Sequence, residues 1–502
     1  MRRDLSIDGL ISIVLIVPFL VTTYLPLGDL PNHLARQHIL VEWATSPDLQ
    51  LFYYYKFSLV PNLALDLFAP FVAKIMSVDL AVRFFCMLSV LLIFWGCRAV
   101  NRQLAGAAAH AYRFAPFLCY GGPLQNGFLN FCFGIGFALV VFGVYLRLRD
   151  ASPPMLLAIF LPCGFVLLLC HLAAFGLCAI SVGVFEIVHP LRGLAKQAFP
   201  RRVSEFVHEI MRRELRAASF LLPPLIVFLV FGPTEINSHL MRWSTFHEKL
   251  EGIAALTMFS SPALELTLLA LAMAGFATAL IVGVMRVRHE SVAIVVVMAA
   301  IFLLLPRVAL GGGYVDYRVP WAASFFLLAG IIPGQSSARS DRAAWAWFGG
   351  LLVARVGLVV LQWLSWDPVI ADVVATLRAL PPGARLMSIV GDPGSTSISR
   401  RPPMGNVAAY AVAYRHAYWG GLFADIPGQI LFFQPAYSPQ WSNVVLREVQ
   451  SLDPIYNYLL VLRPDFVHVS ANLNLRCVAH SSNFQLFAVM TDGTDELRKS
   501  CS

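Results

Sequence analysis

Residues 8–27 read DGLISIVLIVPFLVTTYLPL, and residues 28–40 continue GDLPNHLARQHIL. The first stretch is long and apolar enough to cross a bilayer as a helix, which takes about 20 residues. The second changes character at once, supplying Asp29, Asn32, His33, Arg36 and His38. Ionised side chains cost about 2.5–3.5 kcal/mol each at a bilayer centre, so they gather at membrane edges. A chain that opens this way is an integral membrane protein with an all-α polytopic bundle as its core.

Composition agrees. Hydrophobic residues make up 58% of the 502 positions and charged residues only 13%, against about 25% charged in soluble domains. Mean hydropathy is +0.69. The formal net charge of +8 does not point to nucleic acid, because the basic residues are scattered among short loops between apolar runs. Such runs lie at 8–27, 80–97, 114–122, 125–146, 155–170, 172–188, 217–231, 262–285, 291–305, 319–332 and 344–363, about eleven transmembrane helices. The third is short and is expected to extend back into 107–113. The first is read as a retained helix, since no small-residue cleavage site follows it.

Placing the N-terminus in the cytoplasm collects Arg98, Arg102, Arg113, Arg147, Arg149, the basic block 192–216, Arg286, Arg288, Arg339 and Arg342 on that side. That asymmetry is what orients membrane helices. Residues 61–78, PNLALDLFAPFVAKIMSV, would reverse it if counted as a span. They are read instead as a helix lying at the interface, apolar face down. The layout is therefore a multispan core at 1–366, with outer juxtamembrane helices at about 28–79, in the plasma (inner) membrane.

From residue 367 the composition turns mixed. A helix is expected at 370–379 and strands at 385–390, 458–462, 466–470 and 484–489, making 367–502 a small α/β domain on the extracytoplasmic side. Seven of the nine cysteines lie in or beside apolar runs, where cysteine packs as a small hydrophobe. Cys477 and Cys501 are free to pair if the tail lies in an oxidising compartment.

Candidate site residues cluster in the outer loops. Pro31 suits the first turn of a helix, putting Asp29 at its N-cap. Two readings stand there. Asp29 caps the helix while Arg36 meets lipid headgroups, or Asp29 handles an acceptor proton with His33 and Arg36 beside it. Residues 311–320, GGGYVDYRVP, put Asp316 and Arg318 at another outer edge, where they form a local turn or where Arg318 grips a lipid-linked phosphate. His171 sits alone between two runs, either as a bonded helix end or as a ligand contact. Lys56, after Tyr53–Tyr55, either snorkels in an aromatic belt or reaches phosphate. Glu235, His239, Arg242 and His247 share a loop but match no metal spacing. Residues 126–136 (NGFLNFCFGIG) read as close helix packing, and 391–395 as a plain loop.

The order of these features resembles the GT-C-type integral-membrane glycosyltransferases: an acidic residue soon after the first span, then juxtamembrane helices, then a run like 80–103 with arginines at its inner end. The resemblance implies a multispan helical core with an outer domain, and sugar transfer from a polyprenyl-phosphate donor to a lipid, glycan or protein acceptor. It also implies a functional role for Asp29 as the acidic residue of the first loop. Arg318 and Lys56 become donor-phosphate contacts. The loop holds one acidic residue where many members hold a pair, so no metal ligand is assigned and a divalent cation stays open. Two other classes also fit a polytopic chain. A lipid or solute transporter or flippase would need ionisable residues in mid-span, of which Arg355 is the clearest. A non-catalytic assembly factor would leave the outer polar residues dispersed.

Overall fold

The computed structural model describes residues 2–106, 110–194, 203–231, 241–257, 261–309, 312–335, 337–391, 404–426, 428–438, 444–446, 448–470 and 472–490. Glu235, His239, Gly311, residues 392–395 and Cys501, named above, lie outside this set.

The helices in chain order begin with α1 (Arg2–Val21), α2 (Leu30–Glu42), α3 (Pro47–Phe52) and α4 (Ala64–Val72). Next come α5 (Val78–Ala105), α6 (Ala115–Cys119), α7 (Gly122–Gln125), α8 (Leu129–Leu148), α9 (Pro153–Cys170) and α10 (Leu172–Leu194). They end with α11 (Val203–Phe231), α12 (Phe246–Ala254), α13 (Pro262–Ile281), α14 (His289–Leu304), α15 (Arg318–Ala329), α16 (Ala338–Arg378) and α17 (Ala409–Arg415). Eight described helices are long and apolar enough to cross a membrane: α1, α5, α8, α9, α10, α11, α13 and α16. Helices α14 and α15 are apolar but shorter.

The expected span at 114–122 is not a continuous helix. A 3-10 turn at Ala111–Phe114, then α6 and α7, run beside α1 from one end to beyond the other. Arg113 Nε bonds Asp8 near the start of α1 (2.8 Å), Tyr120 reaches the Leu15 carbonyl midway, and Asn126 O meets the backbone of Asp29 past its end (2.9 Å). Broken backbone at membrane depth survives only inside protein, and α6 and α7 are buried throughout. A buried ion pair helps hold it. Arg355 Nη1 bonds Glu265 Oε1 at 3.1 Å, while Nη2 donates to the carbonyls of Tyr120 and Thr257, both at 2.7 Å. Arg355 is thus fixed between α16, α13 and this segment.

At the opposite end of α1, Asp8 is wholly buried. It accepts from Arg98 Nε (2.9 Å), Arg113 Nε (2.8 Å) and Tyr112 Oη (2.7 Å). The arginines expected on the N-terminal side thus converge on one carboxylate of the first helix. Helix α4 is amphipathic, burying Leu65, Asp66 and Ala69 and exposing Leu67, Phe71 and, in the turn beyond it, Ile75.

Helix α16 continues unbroken through residue 367 to Arg378, so the expected helix at 370–379 is the end of the last span. The domain it carries is built on one sheet, with strands in the order 475–480, 484–489, 458–462, 385–391 and 418–419, and 444–446 also paired to 385–391. The central pair is parallel, Tyr458 against Leu386; both strands are apolar nearly throughout, as strands covered on two faces are. Strands 458–462 and 484–489 fall where expected. The 466–470 stretch reduces to a 3-10 turn and the two-residue strand His468–Val469, and strand 475–480 was not anticipated. A further pairing ties this domain to the segment between α3 and α4: Tyr53–Tyr55 runs antiparallel to Leu431–Phe433.

Candidate functional site

Asp29 occupies the N-cap position of α2, but its side chain makes no capping bond. What fixes it is backbone. Gly28 N donates to Gln125 O and Asp29 N to Asn126 O, both at 2.9 Å. Gly127 has φ +82°, and a Cβ there would come within 2.6 Å of the Asp29 nitrogen. Only glycine tolerates both conditions. The carboxylate meets the sheet domain instead, where Asn406 Nδ2 bonds its Oδ1 at 3.1 Å and the Gly28 carbonyl at 3.0 Å. Burial pushes the Asp29 carboxyl up to about 7, against the opposing pull of the Arg318 charge and the Asn406 amide. A carboxyl titrating there is matched to proton transfer near neutral pH.

Arg318 begins α15. Its guanidinium carbon stacks 4.3 Å from the Phe128 ring centroid and 5.8 Å from that of Phe131. Its Nε is buried without a partner among the described residues. Nη1 lies 3.4 Å from His171 Nε2, while His171 Nδ1 accepts the Ala173 N–H at 3.1 Å. A neutral imidazole whose Nδ1 is an acceptor carries its proton on Nε2. In that tautomer two donors face each other across 3.4 Å. An anionic oxygen within hydrogen-bond reach of both would satisfy the pair, a contact that a phosphate oxygen can make.

The remaining expected residues divide. His33 packs edge-on to Phe423 at 6.0 Å, with burial holding its imidazolium down to about 4 and Arg36 adding to that. It is a neutral wall beside Asp29. Arg36 neither meets headgroups nor faces Arg318. It is 4% exposed, paired with Asp66 of α4 and bonded to Gln429 of the sheet domain. Asp316 is also buried, bridging Lys249 Nζ (2.9 Å) and Arg307 Nη1 (3.6 Å). Its part is to hold the turn that launches Arg318. Lys56 is exposed at the end of the Tyr53–Tyr55 strand, its backbone N bonded to Ile430 O at 2.8 Å. Among the described residues no group of three or more His, Cys, Asp or Glu is placed to hold a metal ion.

Two contributors are not among the expected site residues, and the first of them reads in the sequence as span and close helix packing. Residues 121–130, GGPLQNGFLN, form the floor joining both halves. Asn126 carries Asp29 on its carbonyl, while its Nδ2 reaches Tyr317 Oη at 3.3 Å, next to Arg318. Paired glycines and an Asn-Gly in an apolar run were the available signal. Asn406 had none, since only tertiary structure brings it to Asp29. Cys477 is disulfide-bonded.

No family profile and no curated protein sequence matches the chain. Solved structures do match in fold. ArnT from Cupriavidus metallidurans bound to undecaprenyl phosphate superposes over 98% of this chain and 99% of its own, with TM-score 0.53 and 11% identity. ArnT in the apo state superposes over 97% and 98%, with TM-score 0.50 and 13% identity. The chain shares the fold of these ArnT structures, a multispan helical core with a small strand-containing C-terminal domain.

Proposed function

We propose that the protein transfers a sugar from a polyprenyl-phosphate donor to an acceptor hydroxyl at the extracytoplasmic membrane face, with inversion. The observation that carries this reading is the pairing of a proton acceptor with an anion corner. Asp29 titrates near neutrality, and Arg318 lies near enough for its charge to act on that carboxyl. The acceptor oxygen bonds to the anomeric carbon as the bond from that carbon to the phosphate oxygen breaks. Asp29 takes the acceptor's proton. The charge gathering on the departing phosphate is met by Arg318 and the Nε2–H of His171, donors already in position.

Two further features support a lipid-linked donor. A cavity of about 320 Å³ with almost wholly apolar walls starts at Val319 and Pro320, next to Arg318, and descends to Met285, Ile331 and Trp345. It suits an isoprenoid chain whose phosphate rests at the Arg318 corner. The matching ArnT structure holds undecaprenyl phosphate. The Cys477 disulfide fits a domain outside the cytoplasm. The transporter reading loses its main support, because Arg355 is locked to Glu265 and two carbonyls. The test is to incubate the purified protein with polyprenyl-phosphate sugars and extracted envelope lipids and glycans. Transfer that Asp29→Asn abolishes supports the reading, and undiminished transfer by that variant overturns it.

A further inference from the structure

A second cavity, of about 210 Å³, lies where the bundle meets the sheet domain. Tyr24 beyond α1, Leu34 of α2, Arg83 of α5, Arg378 ending α16, and Tyr410 and Tyr414 of α17 line it. None of these belongs to the Asp29–Arg318 site. The charges around it do not cancel. Arg83 spends its guanidinium on the carbonyls ending α1, those of Phe19, Thr22 and Thr23, which are neutral partners. Arg378 stacks on Tyr414 at 4.1 Å and has no carboxylate partner within ion-pair distance among the described residues. Asp79, the acid in the wall, has both oxygens occupied: Tyr414 Oη donates to Oδ1 at 2.5 Å, and His38 Nε2 sits 3.2 Å from Oδ2. His38 in turn lies 2.7 Å from Glu42. The cavity thus presents two guanidiniums against one satisfied carboxylate.

Its position names the source of an anion. Arg83 is about 7 Å along α5 from its first residue, at 1.5 Å per residue, near one end of a helix long and apolar enough to cross a membrane. Flanking it, Leu20 and Val21 of α1 and Leu80 and Phe84 of α5 are exposed apolar residues near the ends of two such helices. Tyrosines at this depth form the aromatic girdle of a membrane interface. We propose that this cavity binds the phosphate group of an anionic membrane lipid, held by Arg378 and Arg83 between the rings of Tyr24, Tyr410 and Tyr414. The occupant braces α2 against α17, the two helices whose leading ends bring Asp29 and Asn406 together.

The full-length protein in nanodiscs of phosphatidylcholine, with or without phosphatidylglycerol, tests this without reference to sugar transfer. Native mass spectrometry counts retained lipid, and thermal unfolding reads its effect. Phosphatidylglycerol should be retained and should raise the unfolding midpoint in the wild type and in Arg476→Gln, a charge-matched control on an exposed strand position. In Arg378→Gln retention should fall about fivefold, the factor for one interfacial arginine, with the midpoint in pure phosphatidylcholine unchanged. Equal retention in Arg378→Gln and wild type overturns the site. Stabilisation by soluble glycerol phosphate as large as that by phosphatidylglycerol overturns the lipid as its ligand.

Discussion

The amide of Asp29 donates to the carbonyl of Asn126 at 2.9 Å, joining the first outer loop to a broken segment that climbs through the bundle interior. Through Asn126 Nδ2 and Tyr317 Oη, 3.3 Å apart, the same floor reaches the turn that carries Arg318. The proposed proton acceptor and phosphate holder are therefore both tied to Asn126 of this floor, one through its carbonyl and the other through its side chain.

That floor leaves no room for a side chain at Gly127. Gly127→Ala places a Cβ where 2.6 Å separates it from the Asp29 nitrogen, at φ +82°. The left-handed conformation alone costs about 1–3 kcal/mol. Transfer should drop about tenfold or more, with a smaller fall in the unfolding midpoint. A variant with wild-type rates would mean the floor does not position Asp29.

The Asp29 carboxyl, raised by burial to about 7, sets a pH dependence with a definite sign. As a base it must be ionised, so transfer should rise with pH through about 7 and level off above. Asp29→Asn should lose about 10²–10⁴-fold and show no such rise. Stability moves oppositely. The folded state holds this proton more tightly than the unfolded one, so ionising it costs stability as pH climbs from about 4 to about 7. Differential melting of wild type and Asp29→Asn at pH 5 and pH 8 should show the variant gaining at the higher pH.

Arg318→Gln should lower transfer about a hundredfold, the usual loss for one preorganised donor. Arg318→Lys should rescue little, since lysine cannot keep both the stacking on Phe128 and the forked donor geometry. His171→Ala should weaken binding of the polyprenyl phosphate itself, read by competition. Unchanged lipid affinity in both Arg318→Gln and His171→Ala would remove the anion corner from the mechanism.

Arg36 and Asp66 form a buried pair between α2 and α4. Removing one partner strands a charge, which costs about 3–5 kcal/mol. Arg36→Met should therefore destabilise strongly, and Arg36→Met with Asp66→Leu should recover most of the loss. If the double variant melts like wild type yet transfers nothing, Arg36 touches substrate after all.

His38 bridges Glu42 at 2.7 Å and Asp79 at 3.2 Å. These bonds raise it to about 9 against the opposing effect of burial. Its stabilisation is complete below the unfolded histidine value of about 6.5 and is lost as pH rises through about 9. The melting gap between wild type and His38→Gln should close over that window. A gap independent of pH would mean the imidazolium plays no part in docking the sheet domain.

The sequence by itself determined the membrane class, most of the spans, and a short amphipathic helix at α4, and it picked out Asp29 and Arg318 among its candidates. Those features rest on hydrophobicity, length and charge placement, which act locally along the chain. Tertiary structure alone decided which polar residues are free. Asp29, Arg36, Asp316 and Arg318 look alike as charged residues near apolar runs. Burial and pairing separate them, because Arg36 and Asp316 found carboxylate or cationic partners from distant elements. The broken crossing at 111–128 was equally illegible. Its apolar composition matches a span, but whether its backbone bonds to itself or to neighbouring helices depends on what surrounds it. Asn406 lies 377 positions from Asp29, and no local pattern records a contact that only folding makes.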